Sequence, residues 1–117
     1  RDWGHARDYA EAMWLMLQQD EPDDYVIATG KEYSVKEFVE ACAPYFGFDI
    51  EWMGEGLDEI GIDKNSKKTI VAVAERYFRP AEVERLLGDA SKAKKVLGWE
   101  PKVDFEKLVK DMCENET

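Results

Sequence analysis

An arginine and a glutamate three residues apart are the side chains best suited to chemistry in this sequence. Arg79 follows an aromatic pair and directly precedes Pro80, which disfavours helix at Arg79 and favours an extended backbone there. A planar guanidinium matches the oxygens of a phosphate, and the Glu82 carboxylate can accept two hydrogen bonds from a ribose diol. The spacing therefore suits a nucleoside diphosphate. A surface ion pair between Arg79 and Glu82 or Glu84 is the alternative that this short motif leaves open.

Two further sets of polar residues lie at the start of the chain. Arg1 stands directly before a predicted helix and is a candidate for a second phosphate contact, and the adjacent Asp2 is suited to pair with it or to cap the chain entry. His5 and Asp8 are three residues apart, which favours a structural hydrogen bond of a neutral imidazole over an acid–base pair.

Motifs typical of complete enzymes are absent from the sequence. It contains no Gly-x-Gly-x-x-Gly, no P-loop, no His-Glu-x-x-His and no Gly-x-Ser-x-Gly. One histidine cannot build a two-histidine metal site, and an EF-hand at Asp63 fails because Lys67 and Lys68 occupy positions that need a ligand and a glycine. By itself the chain therefore does not look like a complete enzyme, and we expect no metal-ligating residues in it.

Composition restricts the class of protein. The 117 residues carry 26 acidic and 16 basic side chains, and the net charge of −10 argues against binding to nucleic acid or to an anionic membrane. The 44% hydrophobic residues are enough for one compact domain, and no apolar run is long enough to cross a bilayer. Cys42 and Cys113 fall on apolar helix faces, as buried thiols in a reducing cytoplasm would. Because the chain opens with Arg1 rather than Met, we expect a piece of a longer protein.

The elements that must position these side chains are predicted from hydrophobic spacing. Apolar residues three and four apart predict four helices, at Ala6–Gln19, Ser34–Phe46, Lys92–Leu97 and Phe105–Cys113. Apolar runs predict strands at Tyr25–Thr29, Phe48–Met53 and Thr69–Val73, the first of them buried on both faces. The stretch Gly54–Lys68, with three glycines among charges, predicts a loop. The fold class is therefore α/β, a small mixture of helices and short strands.

Capping residues support these helix bounds. Ser34 with Glu37 forms a capping-box pattern, and Asp89 and Asp104 are suited to cap the last two helices. Gly47 and Gly98 predict the C-terminal ends of the second and third helices.

Five strings of residues resemble, in order and over nearly the whole chain, the C-terminal substrate-binding part of the GDP-mannose 4,6-dehydratase family. They are RDWGHARDYAEAMWLMLQ, YVIATG, YSVKEFVE, AVAERYFRPAEVERLLGD and SKAKKVLGWEPKVDFEKLVKDM. Related sugar-nucleotide epimerases and dehydratases of the extended short-chain dehydrogenase/reductase group share weaker versions of the RDW, RP-x-acid and LGW-x-P segments. The longer strings RDWGHARDY and YFRPAEVE indicate the GDP-mannose branch.

The resemblance implies that residues 1–117 are the C-terminal sugar-nucleotide-binding domain of an enzyme whose N-terminal Rossmann domain, with the catalytic residues, lies outside the chain. It implies a cytoplasmic homo-oligomer that acts on GDP-mannose with NADP held by that Rossmann domain. The sugar is oxidised at C4, water is lost across C5 and C6, and hydride returns to C6 to give GDP-4-keto-6-deoxymannose, a step towards GDP-fucose. By the same resemblance, Arg1 and Arg79 hold the diphosphate and Glu82 binds the nucleotide ribose.

Two alternatives remain open. The chain could belong to a sibling epimerase or dehydratase that uses another base or sugar, or it could be a nucleotide-sugar-binding or assembly module without catalysis. A glycine-rich strand-turn-helix and a Tyr-x-x-x-Lys pair upstream of Arg1 would rule out the second alternative.

Overall fold

The computed structural model describes residues 1–116, and within them four α-helices accompany one small antiparallel sheet. The helices are α1 (Ala6–Leu17), α2 (Val35–Cys42), α3 (Ser91–Leu97) and α4 (Phe105–Asn115). The strands are β1 (Ile50–Met53), β2 (Ile60–Asp63) and β3 (Thr69–Ala72). The predicted mixture of helices and short strands is confirmed.

The chain divides into two compact units. Unit 1 comprises Arg1–Val35 and the described residues from Arg85 onward, and unit 2 comprises Lys36–Glu84. Unit 1 thus holds α1, α3 and α4, whereas unit 2 holds the sheet and nearly all of α2.

The core of unit 1 forms where α1 meets α3 and the turn that follows it. Its buried cluster consists of Ala12, Ala93, Leu97 and Trp99. The two alanines are fully buried, which lets the helix backbones approach closely, and Trp99 is 1% exposed. The ring of Tyr9 packs against Trp99 with 6.5 Å between ring centroids. This one tryptophan therefore fills much of the space between the two helices.

Capping residues define the helix ends largely as predicted. Asp104 caps α4 by accepting a hydrogen bond from the Lys107 N–H at 2.9 Å. Asp89 stands two residues before α3, and its carboxylate accepts from the Ser91 N–H at 3.0 Å, which holds the pKa of Asp89 below its ordinary value. Gly98 ends α3 in the left-handed conformation, with φ of 68°.

The second helix is shorter than its apolar pattern predicts. α2 begins directly after Ser34 as expected, but it ends at Cys42 and continues as a 3-10 turn over Ala43–Phe46. Pro44 explains the change, because proline lacks an N–H and its ring clashes with the carbonyl one turn earlier in an α-helix. Cys42 is only partly buried, contrary to expectation, whereas Cys113 is buried as predicted.

The predicted strand at Tyr25–Thr29 is wrong for this chain. The segment is not assigned to any strand ladder within residues 1–116. Ala28 is buried but Val26 is 56% exposed, so the segment is not buried on both faces. At Gly88 an added Cβ would lie 2.2 Å from the Ala28 Cβ, so only glycine allows the chain to pass so close. The apolar residues of the segment are typical of a strand, but a β-strand also needs a neighbouring strand to hydrogen-bond with.

The predicted loop at Gly54–Lys68 is also wrong, because it contains β2, the central strand of the sheet. β2 pairs antiparallel with both β1 and β3, with Gly61 opposite Trp52. A Cβ at Gly61 would lie 3.0 Å from the Trp52 ring, so glycine fits the strand here because the aromatic ring covers it. Glycine and charged residues usually indicate a loop, so the sequence of this segment does not predict a strand.

A buried carboxylate holds the connection between β2 and β3. Asp63 Oδ1 accepts from the Asp49 N–H at 2.9 Å, and Oδ2 accepts from the Ser66 N–H at 2.9 Å. The hydrogen bond from Asp49, followed by those from Ser66, lowers the pKa of Asp63 from 3.8 to about 2. The ionised form of Asp63 is therefore the form that stabilises this connection.

We expect Asp63 to stabilise unit 2 least at low pH. Its folded-state pKa lies below the ordinary value, so the stabilisation is complete above about pH 4 and is lost as the pH falls towards about 2. The stability advantage of the natural chain over Asp63→Asn, measured by urea unfolding, should shrink across that range. Asp58→Asn in the same unit serves as control. An Asp63→Asn difference that stays constant with pH would contradict the assignment.

None of the helices within residues 1–116 has the length and apolar character needed to span a membrane.

Candidate functional site

Arg1 is held in place through its backbone. Its amino group donates to the Tyr33 carbonyl at 2.8 Å, and its own carbonyl accepts from the Tyr33 N–H at 2.9 Å. The Trp3 indole N–H also donates to the Tyr33 carbonyl, at 3.1 Å, and the Tyr33 ring stacks on Phe105 with 3.9 Å between centroids. The start of the chain is therefore fixed to unit 1 at the point where Arg1 projects its side chain.

The neighbouring Asp2 links three separate segments of unit 1. Its carboxylate accepts hydrogen bonds from the Thr29 N–H at 2.9 Å, the Thr29 hydroxyl at 2.5 Å, the Gly30 N–H at 3.0 Å and the Gly88 N–H at 3.4 Å. Partial burial raises the pKa of Asp2, but these hydrogen bonds outweigh it and the net pKa is below 3.8. Sequence spacing does not indicate this role, because the partners are 27 to 86 residues away.

Arg79 and Glu82 lie in unit 2, in the irregular segment that follows the 3-10 turn at Glu75–Tyr77. Both side chains are exposed, and Arg79 lies outside any helix, as the following Pro80 predicts. Arg79 has no ion-pair partner within residues 1–116, so the described structure does not support a surface ion pair as the reason for this motif. The three predicted site residues thus divide between the units, with Arg1 in unit 1.

The predicted hydrogen bond between the His5 and Asp8 side chains is wrong. His5 Nδ1 accepts from the Arg7 N–H at 3.0 Å and so caps α1, while Nε2 lies 2.9 Å from Asp111 Oδ2. A ring nitrogen that accepts leaves Nε2 as the donor to the carboxylate. The histidine therefore joins the start of α1 to α4, a contact over 106 residues that sequence spacing does not indicate.

Asp8 instead fixes the turn before α4. Its carboxylate is buried and accepts from the backbone N–H groups of Lys102 at 3.1 Å and Val103 at 3.0 Å. Its carbonyl accepts from the Trp99 indole N–H at 2.8 Å. Asp8 is thus a structural residue rather than part of an acid–base pair.

A cavity of about 280 Å³ lies beside the residues that hold Arg1. Its walls include the aromatic side chains of Trp3, Tyr33 and Phe105, together with Lys31 and Lys102. Aromatic walls suit a flat ring that can stack on them. The cavity could not be found from the sequence because three separate segments line it.

Metal binding has no support in the residues that the structure describes. Within residues 1–116 there is no group of three or more His, Cys, Asp or Glu side chains that could hold a metal ion.

Comparison with known proteins identifies the family. The family model described as GDP-mannose 4,6 dehydratase matches residues 1–112. The GDP-mannose 4,6 dehydratases of Drosophila melanogaster and Homo sapiens are each 54% identical over 96% of this chain, which covers 28% and 30% of their lengths. The GDP-mannose 4,6-dehydratase of Vibrio cholerae is 51% identical over 96% of this chain and 33% of its own length.

The chain therefore spans about a third of the curated relatives that it matches. The family model covers residues 1–112 of this chain, a range that includes both Arg1 and the Arg79–Glu82 segment. The resemblance inferred from the sequence strings is confirmed, and the chain belongs to the GDP-mannose 4,6-dehydratase family.

Proposed function

We propose that this chain is the substrate-binding part of a GDP-mannose 4,6-dehydratase, a lyase that converts GDP-mannose to GDP-4-keto-6-deoxymannose. The observation that carries the proposal is the family match from residue 1 to residue 112. In this proposal the chain works with a Rossmann domain of the same protein, and the complete enzyme is a cytoplasmic homo-oligomer.

Arg1 and Arg79 bind the diphosphate of GDP-mannose. Each guanidinium can donate two parallel hydrogen bonds to phosphate oxygens, a geometry that lysine does not provide. In a chain with a net charge of −10, positive charge for a dianion must be concentrated at a few positions. The proposal is supported by the fixed backbone of Arg1 and by the exposed side chain of Arg79 ahead of a rigid proline.

Glu82 binds the ribose of the nucleotide. Its carboxylate offers two oxygens to the 2′ and 3′ hydroxyls, and its place three residues after Arg79 suits a ligand that carries ribose next to phosphate. Both side chains belong to the same exposed segment of unit 2, which supports a shared ligand.

The Glu82→Ala variant of the complete protein should lose its discrimination between GDP and 2′,3′-dideoxy-GDP. The unaltered protein should bind GDP about tenfold more tightly, because hydrogen bonds to a charged acceptor contribute about 1.5–3 kcal/mol. Isothermal titration of both nucleotides measures this difference, and Glu84→Ala is the matched control. Discrimination retained by Glu82→Ala would place the ribose contact elsewhere.

NADP would supply the hydride acceptor and donor of this reaction, but the residues of this chain do not fit its binding. The sequence has no Gly-x-Gly-x-x-Gly, and the sheet of the described residues is antiparallel rather than a parallel strand-helix-strand unit. As the family resemblance implies, the proposal assigns the cofactor site and the catalytic residues to the part of the enzyme outside this chain. The residues present bind and orient the substrate.

Incubation of the complete protein with GDP-mannose and NADP tests the proposal. Mass spectrometry should detect a product that has lost one water, and the isolated 117-residue chain should form none. Turnover of another sugar nucleotide in place of GDP-mannose would instead indicate a sibling enzyme. Binding of GDP-mannose without turnover by the complete protein would indicate a binding module.

A further inference from the structure

A second pocket of unit 1, which we call the basic pocket, lies where α1 begins beside α4. It has a volume of about 290 Å³ and is lined by His5, Arg7, Lys102, Val103, Lys107, Lys110, Asp111 and Glu114. A volume of this size accommodates a small anion rather than a complete nucleotide sugar. None of the three proposed substrate-binding residues lines it.

Positive charge is concentrated at this pocket. Four of the 16 lysines and arginines line it, against two carboxylates, although acidic residues outnumber basic ones in the chain as a whole. Asp111 already contacts the His5 ring at 2.9 Å, and the Lys102 ammonium lies 2.9 Å from both Glu11 oxygens. A local excess of cations in an acidic protein favours an anionic ligand.

Arg7 and Lys107 supply the charge that the protein does not neutralise. Within the described part of the chain, neither side chain has a carboxylate partner within 4.0 Å, whereas Lys110 lies 3.9 Å from Glu114. Asp111 also lines the pocket and pairs with the neutral histidine ring, so the two cations leave a net positive charge that attracts a phosphate group, and the arginine fork can bind two of its oxygens.

Buried and capping hydrogen bonds fix the backbone around these cations. Asp8 accepts from the N–H groups of Lys102 and Val103, and Asp104 accepts from the Lys107 N–H at 2.9 Å. The His5 cap fixes the Arg7 N–H in the same way at the start of α1. The side chains of the pocket therefore project from ordered positions, which reduces the entropy that ligand binding must overcome.

We propose that the basic pocket binds a small phosphate-bearing anion, either free phosphate or the phosphate group of a metabolite. This proposal does not depend on the enzymatic function proposed above, because it concerns different residues and its test measures binding alone.

Isothermal titration of the complete protein with inorganic phosphate, at constant ionic strength, tests the proposal. Arg7→Gln combined with Lys107→Gln should weaken saturable binding by about tenfold or more. Lys68→Gln combined with Lys95→Gln removes the same amount of charge outside the pocket. This control should weaken phosphate binding less than about twofold, because distant charges are screened. The single variant Lys107→Gln, in an exposed position, gives the same test if the double variant fails to fold.

Three outcomes would overturn the proposal: no saturable binding of phosphate, equal weakening in both double variants, or loss of binding only in Arg79→Gln, which would place the phosphate at the proposed nucleotide site. A parallel titration with glycerol 3-phosphate distinguishes the two sources. Tighter binding of that monoester than of phosphate identifies a metabolite as the ligand, and the reverse order identifies free phosphate.

Discussion

Replacement of Arg79 by alanine should raise the Michaelis constant of the complete enzyme for GDP-mannose by about 10- to 100-fold, while turnover changes much less. A charged hydrogen-bonded contact contributes about 1.5–3 kcal/mol, which corresponds to this range. The diphosphate is not altered in the reaction, so its contact exists equally in the ground state and the transition state. Loss of such uniform binding appears in the Michaelis constant rather than in turnover.

Two further variants make this measurement specific. Arg79→Lys keeps the charge but loses the two-pronged geometry, and should give an intermediate Michaelis constant. Arg76→Ala removes an exposed arginine three residues earlier, whose guanidinium lies 4.4 Å from the Tyr77 ring centroid, and should leave the Michaelis constant nearly unchanged. An unchanged Michaelis constant in Arg79→Ala would remove this residue from the proposed diphosphate site.

Trp99→Ala should produce the largest loss of stability among single substitutions in unit 1, about 3–5 kcal/mol. The side chain is 1% exposed and packs against the fully buried Ala12 and Ala93, so alanine leaves a cavity between the helices. It also removes the indole N–H that donates to the buried Asp8 carbonyl at 2.8 Å.

Amide hydrogen exchange of α1 and α3 in the complete protein measures this local stability directly. Trp99→Phe keeps most of the apolar volume and should lose less stability than the alanine variant. Val96→Ala removes an α3 side chain that is 48% exposed, and it serves as control. Similar exchange in Trp99→Ala and Val96→Ala would contradict the assignment of Trp99 to the core.

Local signals in the sequence are sufficient to predict the helices of unit 1. Asp104 caps α4 and Gly98 ends α3, as predicted, because both effects act over a few residues along the chain. Pro44 indicates that α2 ends early, whereas the apolar pattern considered alone predicts a helix that continues past this proline.

The errors come from interactions between distant parts of the chain. The apolar residues of Tyr25–Thr29 predict a strand, yet no other strand pairs with this segment in the described structure. β2 was missed because its glycine and aspartate are explained only by Trp52 and by the N–H groups of Asp49 and Ser66. Neither kind of partner can be identified from spacing along the sequence.

The sequence predicts a chemistry for the candidate site but not its geometry. Arg1, Arg79 and Glu82 are residue types suited to phosphate and ribose, and their role as the substrate site stays a prediction. The means by which Arg1 is held could not be predicted, because Tyr33 and the Asp2 hydrogen bonds to Thr29, Gly30 and Gly88 connect distant segments.

The apolar segment Tyr25–Ala28 has a consequence for how copies of this chain behave in solution. Apolar backbone that pairs with no strand of the described residues 1–116 can add a strand from another molecule, which is the first step of aggregation. Acidic residues stand directly before it at Asp23 and Asp24, and every copy carries a net charge of −10. Mutual repulsion therefore opposes this pairing, and dissolved salt weakens the repulsion. The acidity of the chain thus contributes to its colloidal stability.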